Sequence, residues 1–150
     1  MAIADFFITH LFYSSFPGSQ RRYIPAFEGN GMITYYQARQ VCLNKGGDLP
    51  TPRTPALVKE LKRYTKKFSR PVLIYIGFRA GRYGTRYVQW RWAGDTKHAD
   101  VPWLRLHADP AKGSQRFRCV SLRRDHFYSH TCMNNKEFSS IDVICDIGGE

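Results

Sequence analysis

The chain has 150 residues, a formal net charge of +11 and 15% aromatic residues, three of them tryptophan. That length suits one domain able to bury a core by itself, and the aromatic content excludes a disordered chain. No apolar run is long enough to span a bilayer. The sequence pI near 9.8 points to a polyanionic partner or an acidic surface and carries no information about fold.

Residues 1–22 read as an N-terminal extension, either an edge strand or a linker. Met1–Tyr13 is mildly apolar, but Asp5 and His10 interrupt it and no basic segment precedes it, so it does not read as a secretory leader. Ser14–Ser19 carries the Pro-Gly of a turn. Tyr23–Phe27 is predicted to be a strand, ended by the turn residues Glu28–Gly31. Thr34 with Gln37 three residues on is a capping-box pattern, and it opens the first helix. Ala38 and Cys42 share that helix's inner face, flanked by Tyr35 and Val41, and Gly46-Gly47 closes it. The second helix starts at Thr54-Pro55. Leu57, Leu61, Tyr64 and Phe68 form its apolar stripe, opposite Lys59, Lys62, Arg63, Lys66, Lys67 and Arg70.

Pro71–Phe78 contains Val72, Leu73, Ile74 and Ile76 between a proline and Gly77, the pattern of a short buried strand. Tyr87–Trp92 alternates, with Val88, Trp90 and Trp92 facing inward opposite Ile74 and Ile76. Arg79–Arg86 reads as the loop between the two strands, and Asp95–Gly113 as a long irregular loop, usually a functional feature in a compact domain. Phe117–Leu122 and Ile141–Cys145 are the last two expected strands.

None of the four cysteines forms a Cys-x-x-Cys pair, so a structural zinc site has little support. Their even number suggests two disulfides and an oxidising, extracellular compartment, with three connectivities allowed by count alone. The short connection between Cys119 and Cys132 favours joining those two, which leaves Cys42 for Cys145.

In this order the elements resemble the C-type lectin-like domain over residues 23–147, with 148–150 as a tail. The matching segments are Thr34–Cys42, Gly46–Leu49, Tyr75–Phe78, Gln89–Trp92, Cys119–Leu122 and Val143–Cys145. Tyr75 stands where the family usually has tryptophan. The resemblance implies an α+β fold: two helices packed on small antiparallel sheets, a long irregular loop region and two disulfides. Sugar-binding members coordinate calcium in that loop region through two residue triplets. The positions corresponding to them here are Asp109-Pro110-Ala111 and Phe127-Tyr128-Ser129, with Phe117 in place of a further acid. Ala111 cannot ligate, and Tyr128 and Ser129 replace an amide and a carboxylate. Calcium needs six to eight oxygen ligands with carboxylate charge among them. No calcium and no other cofactor is therefore expected. Link modules, a related possibility, carry a cysteine soon after their second helix, and this chain has none between Cys42 and Cys119.

Catalysis is not expected. His126 and His130 are spaced for one helix face, but their segment reads as a loop and no metal-ligand motif accompanies them or His107. Arginines interleaved with aromatics from Tyr83 to Arg91 could track a nucleic acid, yet disulfides imply a compartment without one. The expected function is a secreted or extracellular, lectin-like module that binds anionic or sulfated glycan without calcium. Its candidate ligand-binding residues are Lys62, Arg63, Lys66, Arg70, Arg79, Arg82, Arg86 and Arg91. The alternative is protein recognition without sugar binding.

Overall fold

A computed structural model describes residues 22–27, 33–83, 87–108, 118–132 and 141–148. Strand β1 (Tyr23–Phe27) is followed by helices α1 (Tyr35–Asn44) and α2 (Pro55–Thr65). Six strands follow: β2 (Leu73–Tyr83), β3 (Tyr87–Trp92), β4 (Leu106–Ala108), β5 (Arg118–Arg123), β6 (His126–Thr131) and β7 (Val143–Asp146). β1 and β7 form a two-stranded antiparallel sheet, and a five-stranded sheet runs in the order β3-β2-β5-β6-β4. Within the larger sheet only β4–β6 is parallel. Isolated bridges from Asp48 to Asp146 and from Ile74 to Asp142 tie the helical segment and the larger sheet to the C-terminal strand region.

The helix termini follow the side-chain chemistry. Thr34 accepts a hydrogen bond from the Gln37 amide, and the Gln37 side chain accepts one from the Thr34 amide, so two otherwise unpaired donors are satisfied. Thr54 caps α2 in the same way through the Leu57 amide, with Pro55 at the first helical position. The two glycines after α1 serve different ends. Gly46 takes a left-handed φ of 85°, where a side chain would be strained. Gly47 lies against the Asp146 backbone, where a Cβ would have no room.

The sheet divides the core in two. Leu73, Tyr75 and Cys119 pack on the side of α1, with Tyr35, Ala38, Cys42, Cys132 and Cys145. Ile74, Ile76, Phe78, Val120 and Leu122 pack on the other side, with Leu61 of α2, Trp92 and Phe127. The alternation of strand side chains produces both cores from one strand, so Val72–Phe78 is buried throughout. Disulfides join Cys42 to Cys145, 103 residues apart, and Cys119 to Cys132, 13 apart.

Several expectations are corrected. β2 continues to Tyr83 instead of ending at Phe78, because residues 78–83 pair fully with β3. Trp90 and Trp92 therefore stand opposite Ala80 and Phe78, while Ile74 and Ile76 face Leu122 and Val120 of β5. Both tryptophans do point inward, where Trp90 stacks on Phe78 with centroids 5.0 Å apart and Trp92 lies 4.3 Å from the same ring. The segment read as a histidine-bearing loop is strand β6, paired with β5 across the Arg124-Asp125 turn. The long connection after Trp92 contains β4, added to the sheet through β6. α2 ends at Thr65, short of Phe68, which still packs half-buried on the α2-side core. Residues 1–21 and the expected turn at 28–31 lie outside the described residues.

Candidate functional site

The second helix carries its cations toward the β5–β6 turn. The Lys62 ammonium stands 5.4 Å from the centre of the Phe127 ring, and Lys66 pairs with Asp125 at 2.8 Å. The side chains of that ion pair are 60% and 53% exposed, so water screens it and its release costs little. Hydrogen bonding from Lys66, reinforced by the positive charges of Lys66, Lys62 and His126, holds the Asp125 carboxyl below its ordinary range. Arg123 and Arg124 precede Asp125 in the chain and are exposed. Lys62 and Lys66 therefore reach the β5–β6 hairpin at Phe127 and Asp125, next to Arg124 in the chain, whereas Arg123 pairs with Leu73 of the α1-side core and so alternates to the other face of the sheet. Lys67 leans over the Tyr64 ring at 5.9 Å.

Arg70 does not belong to this ridge as a binding residue. Its guanidinium holds the Asp142 carboxylate bidentately, at 2.6 and 3.2 Å, and Asp142 is only 7% exposed. A buried carboxylate needs that partner, and the expectation of a ligand-binding role for Arg70 is replaced by a structural one.

The other candidate arginines are elsewhere. Arg79 of β2 and Arg91 of β3 are direct cross-strand partners, and Arg79 also pairs with Cys119 of β5, a residue of the α1-side core. The Arg79 guanidinium lies 5.8 Å from the centre of the Tyr36 ring on α1. Leu61, through which α2 docks, belongs to the core on the opposite face of the sheet. The candidate set is thus split: Lys62, Arg63 and Lys66 on the α2 side, Arg79 and Arg91 on the α1 side. The side chains of Arg82 and Arg86 lie outside the described residues.

Of the positions corresponding to calcium ligands, Asp109, Ala111 and Phe117 are outside the described residues, whereas Tyr128 and Ser129 are on β6. Ser129 is 5% exposed. Arg118 of β5 donates from Nε to the Ser129 hydroxyl at 2.7 Å and from Nη2 to the Ser129 carbonyl at 2.9 Å. A fixed guanidinium charge occupies the surroundings of the very oxygens a calcium ion would draw on. The Ser129 oxygens, held by that cation, are poor ligands for a dication.

The residues that sequence reasoning missed are Arg118, Arg123, Arg124 and Tyr36. The dibasic Arg123-Arg124 at the end of the apolar run of β5 was a usable signal for a charged turn. Nothing local marked Arg118 or Tyr36, because their roles depend on partners distant in sequence.

Two helices, small sheets, two disulfides and a long connection feeding the sheet edge define a disulfide-closed α+β ligand-binding fold. A family model, the lectin C-type domain, matches residues 32–145. The chain belongs to the C-type lectin domain family. Domains of this family are in general binding modules without catalytic activity, and with disulfides they are typical of extracellular proteins. A comparison with curated proteins finds no match. Among the described residues no helix is long and apolar enough to cross a membrane.

Proposed function

We propose that this domain is a secreted or extracellular module that binds sulfated or otherwise anionic polysaccharide without calcium, through the ridge formed by α2 and the β5–β6 turn. The observation that supports the reading is the pair of contacts, Lys66 with Asp125 and Lys62 with Phe127, that brings cations of the second helical segment to the turn whose tip is Arg124. The turn itself supports it. Arg124 adopts a left-handed φ of 57°, alone among the described non-glycine residues. An L side chain there costs roughly 1–2 kcal/mol, and glycine or asparagine would suit the turn better. The cost falls at a tip whose guanidinium is exposed. Guanidinium forks match sulfate geometry, and a ridge of one sign concentrates polyanions. Calcium independence is supported by the Arg118 guanidinium on Ser129.

The test is heparin binding over a salt series, with and without chelator, for the parent and for Lys62→Gln/Arg63→Gln/Lys66→Gln and Arg124→Ser. Both variants should elute at lower salt, and chelator should change nothing. Loss of binding with chelator ends the calcium-free reading. Unchanged elution of both variants removes the ridge.

Protein recognition remains the second reading, favoured by Trp103, a large aromatic 37% exposed in the connection between β3 and β4. No retention on heparin near physiological salt, together with a Trp103-dependent protein capture, would favour it.

A further inference from the structure

We propose that this protein pairs with a second copy of itself through the outer face of α1, the two helices running antiparallel with Tyr36 of each beside Leu43 of the other. The pairing goes beyond the polysaccharide reading and does not depend on it.

α1 turns Tyr35, Ala38 and Cys42 into the core. Its exposed residues are Tyr36, Gln37, Gln40, Leu43 and Asn44, and none of them is charged. The exposed residues of α2 include Lys59 and Arg63, and the chain as a whole carries +11. Tyr36 and Leu43 are 44% and 43% exposed and stand two helical turns apart, on one stripe with Gln40 between them. Among the described residues only Trp103 is another large hydrophobic side chain so exposed. Single exposed apolar residues are ordinary, but two on one uncharged helix face form a patch that a partner can cover.

Charge selects the occupant. An acidic partner gains most at the cationic surfaces and finds no charge to pair with on this face. A second copy of a +11 chain is repelled over most of the surface, and the uncharged face is where two copies approach with least repulsion. The bordering arginines are already engaged: Asp48 holds Arg39 at 3.0 Å on both oxygens, and Arg79 lies 5.8 Å from the centre of the Tyr36 ring. Lys45 stands beyond the last turn, at the C-cap. A two-fold axis presents the same patch from both subunits, and antiparallel axes set each helix N-terminus beside the partner's C-terminus, where the dipoles attract. Gln40 then falls near the axis. Its Nε2 donates to Asn44 Oδ1 at 2.9 Å, which leaves Gln40 Oε1 and the Asn44 amino group for bonds across the axis. Ten residues of helix run about 15 Å, less than a stable interface of roughly 1,600 Å² requires, so the dimer is weak and reversible. α2 packs on the opposite side of the sheet and stays exposed in it.

The experiment is sedimentation equilibrium of the full chain without polysaccharide, from about 10 µM to 1 mM. The parent's mean mass should rise with concentration from 17.4 kDa toward twice that value. The rise should be larger in high salt, which screens the repulsion between cationic copies, whereas salt weakens heparin binding. Tyr36→Glu and Leu43→Lys each place a charge that suits its end of the helix, so both should fold and both should remain monomeric. An equimolar mixture of the two should associate again, because the new acid and the new base face each other only when the helices are antiparallel. Should either variant fail to fold, Gln40→Glu brings two like charges together at the axis and should dissociate the dimer by itself. A parent that stays at 17.4 kDa at every concentration overturns the pairing and leaves the heparin reading untouched. A dimer that persists in the charged variants overturns the α1 face. Variants that are monomeric both alone and mixed overturn the antiparallel arrangement.

Discussion

Arg118 of β5 holds Ser129 of β6 at both its hydroxyl and its carbonyl, so a guanidinium bridges the strands beside the β4–β6 edge. β4 joins the sheet through β6, and Ala108 pairs with Ser129 itself. Arg118 is thereby placed to hold β6 where β4 pairs with it. Arg118→Gln should lower stability by about 1–3 kcal/mol through the loss of charge-assisted hydrogen bonds. Thermal unfolding of the parent should be the same in calcium and in chelator. A calcium-dependent rise in the parent's melting temperature would contradict the assignment.

Arg70 and Arg63 look equivalent on the charged face of the second helical segment, yet they should respond in opposite ways. Arg70→Ala leaves the buried Asp142 carboxylate without its guanidinium. Since Arg70 is itself 48% exposed and water can reach the gap, the expected loss is about 2–3 kcal/mol, below that of a fully buried pair. Arg63→Ala, on the exposed ridge, should leave stability within about 0.5 kcal/mol while weakening heparin retention. Denaturant titration of the two variants checks this. Equal stability would return Arg70 to the ridge.

Much of the fold was legible because its signals are local. Thr34 with Gln37, Thr54 with Pro55 and the run Val72–Ile76 each declare their element within a few residues. The end of β2 was not legible, because Arg79–Tyr83 has glycine and arginine where a strand is weakly favoured, and only pairing with β3 extends it. The β6 strand was missed for the same reason: His126–Thr131 is polar and gains its place from β5 and β4. The candidate site was half legible. Cation content is visible in sequence, but the face each cation occupies depends on which side of the sheet its element packs, and no local pattern records that.

Trp90 and Trp92 share one face of β3 but not one degree of burial. Trp92 packs fully into the α2-side core, whereas Trp90, opposite Ala80 in mid-ladder, is half-buried on Phe78. Trp92→Ala should therefore cost about 3–5 kcal/mol and Trp90→Ala about 1–3 kcal/mol. Paired thermal melts of the two variants test the order. A larger loss for Trp90 would mean that the outer stack, not the inner core, secures β3.

Tyr35 and Tyr75 meet edge to face, with centroids 5.8 Å apart and planes at 86°, in the α1-side core. Burial raises both phenols from the ordinary 10.0 to about 12; for Tyr35 the nearby Arg39 and Arg79 charges work against the rise without cancelling it. In the unfolded chain each ionises near its ordinary value, so between about pH 10 and 12 the native state retains protons that the unfolded state has lost. The stability these two phenols contribute is present in full below pH 10 and drains away as pH rises toward 12, on the order of 2–3 kcal/mol each. Absorbance titration should show two phenols ionising about two pH units later than free tyrosine. Tyr35→Phe and Tyr75→Phe should each remove one of them and flatten the alkaline loss of stability. Two late phenols persisting in either variant, or an alkaline loss as steep as the parent's, would place the responsible tyrosines elsewhere.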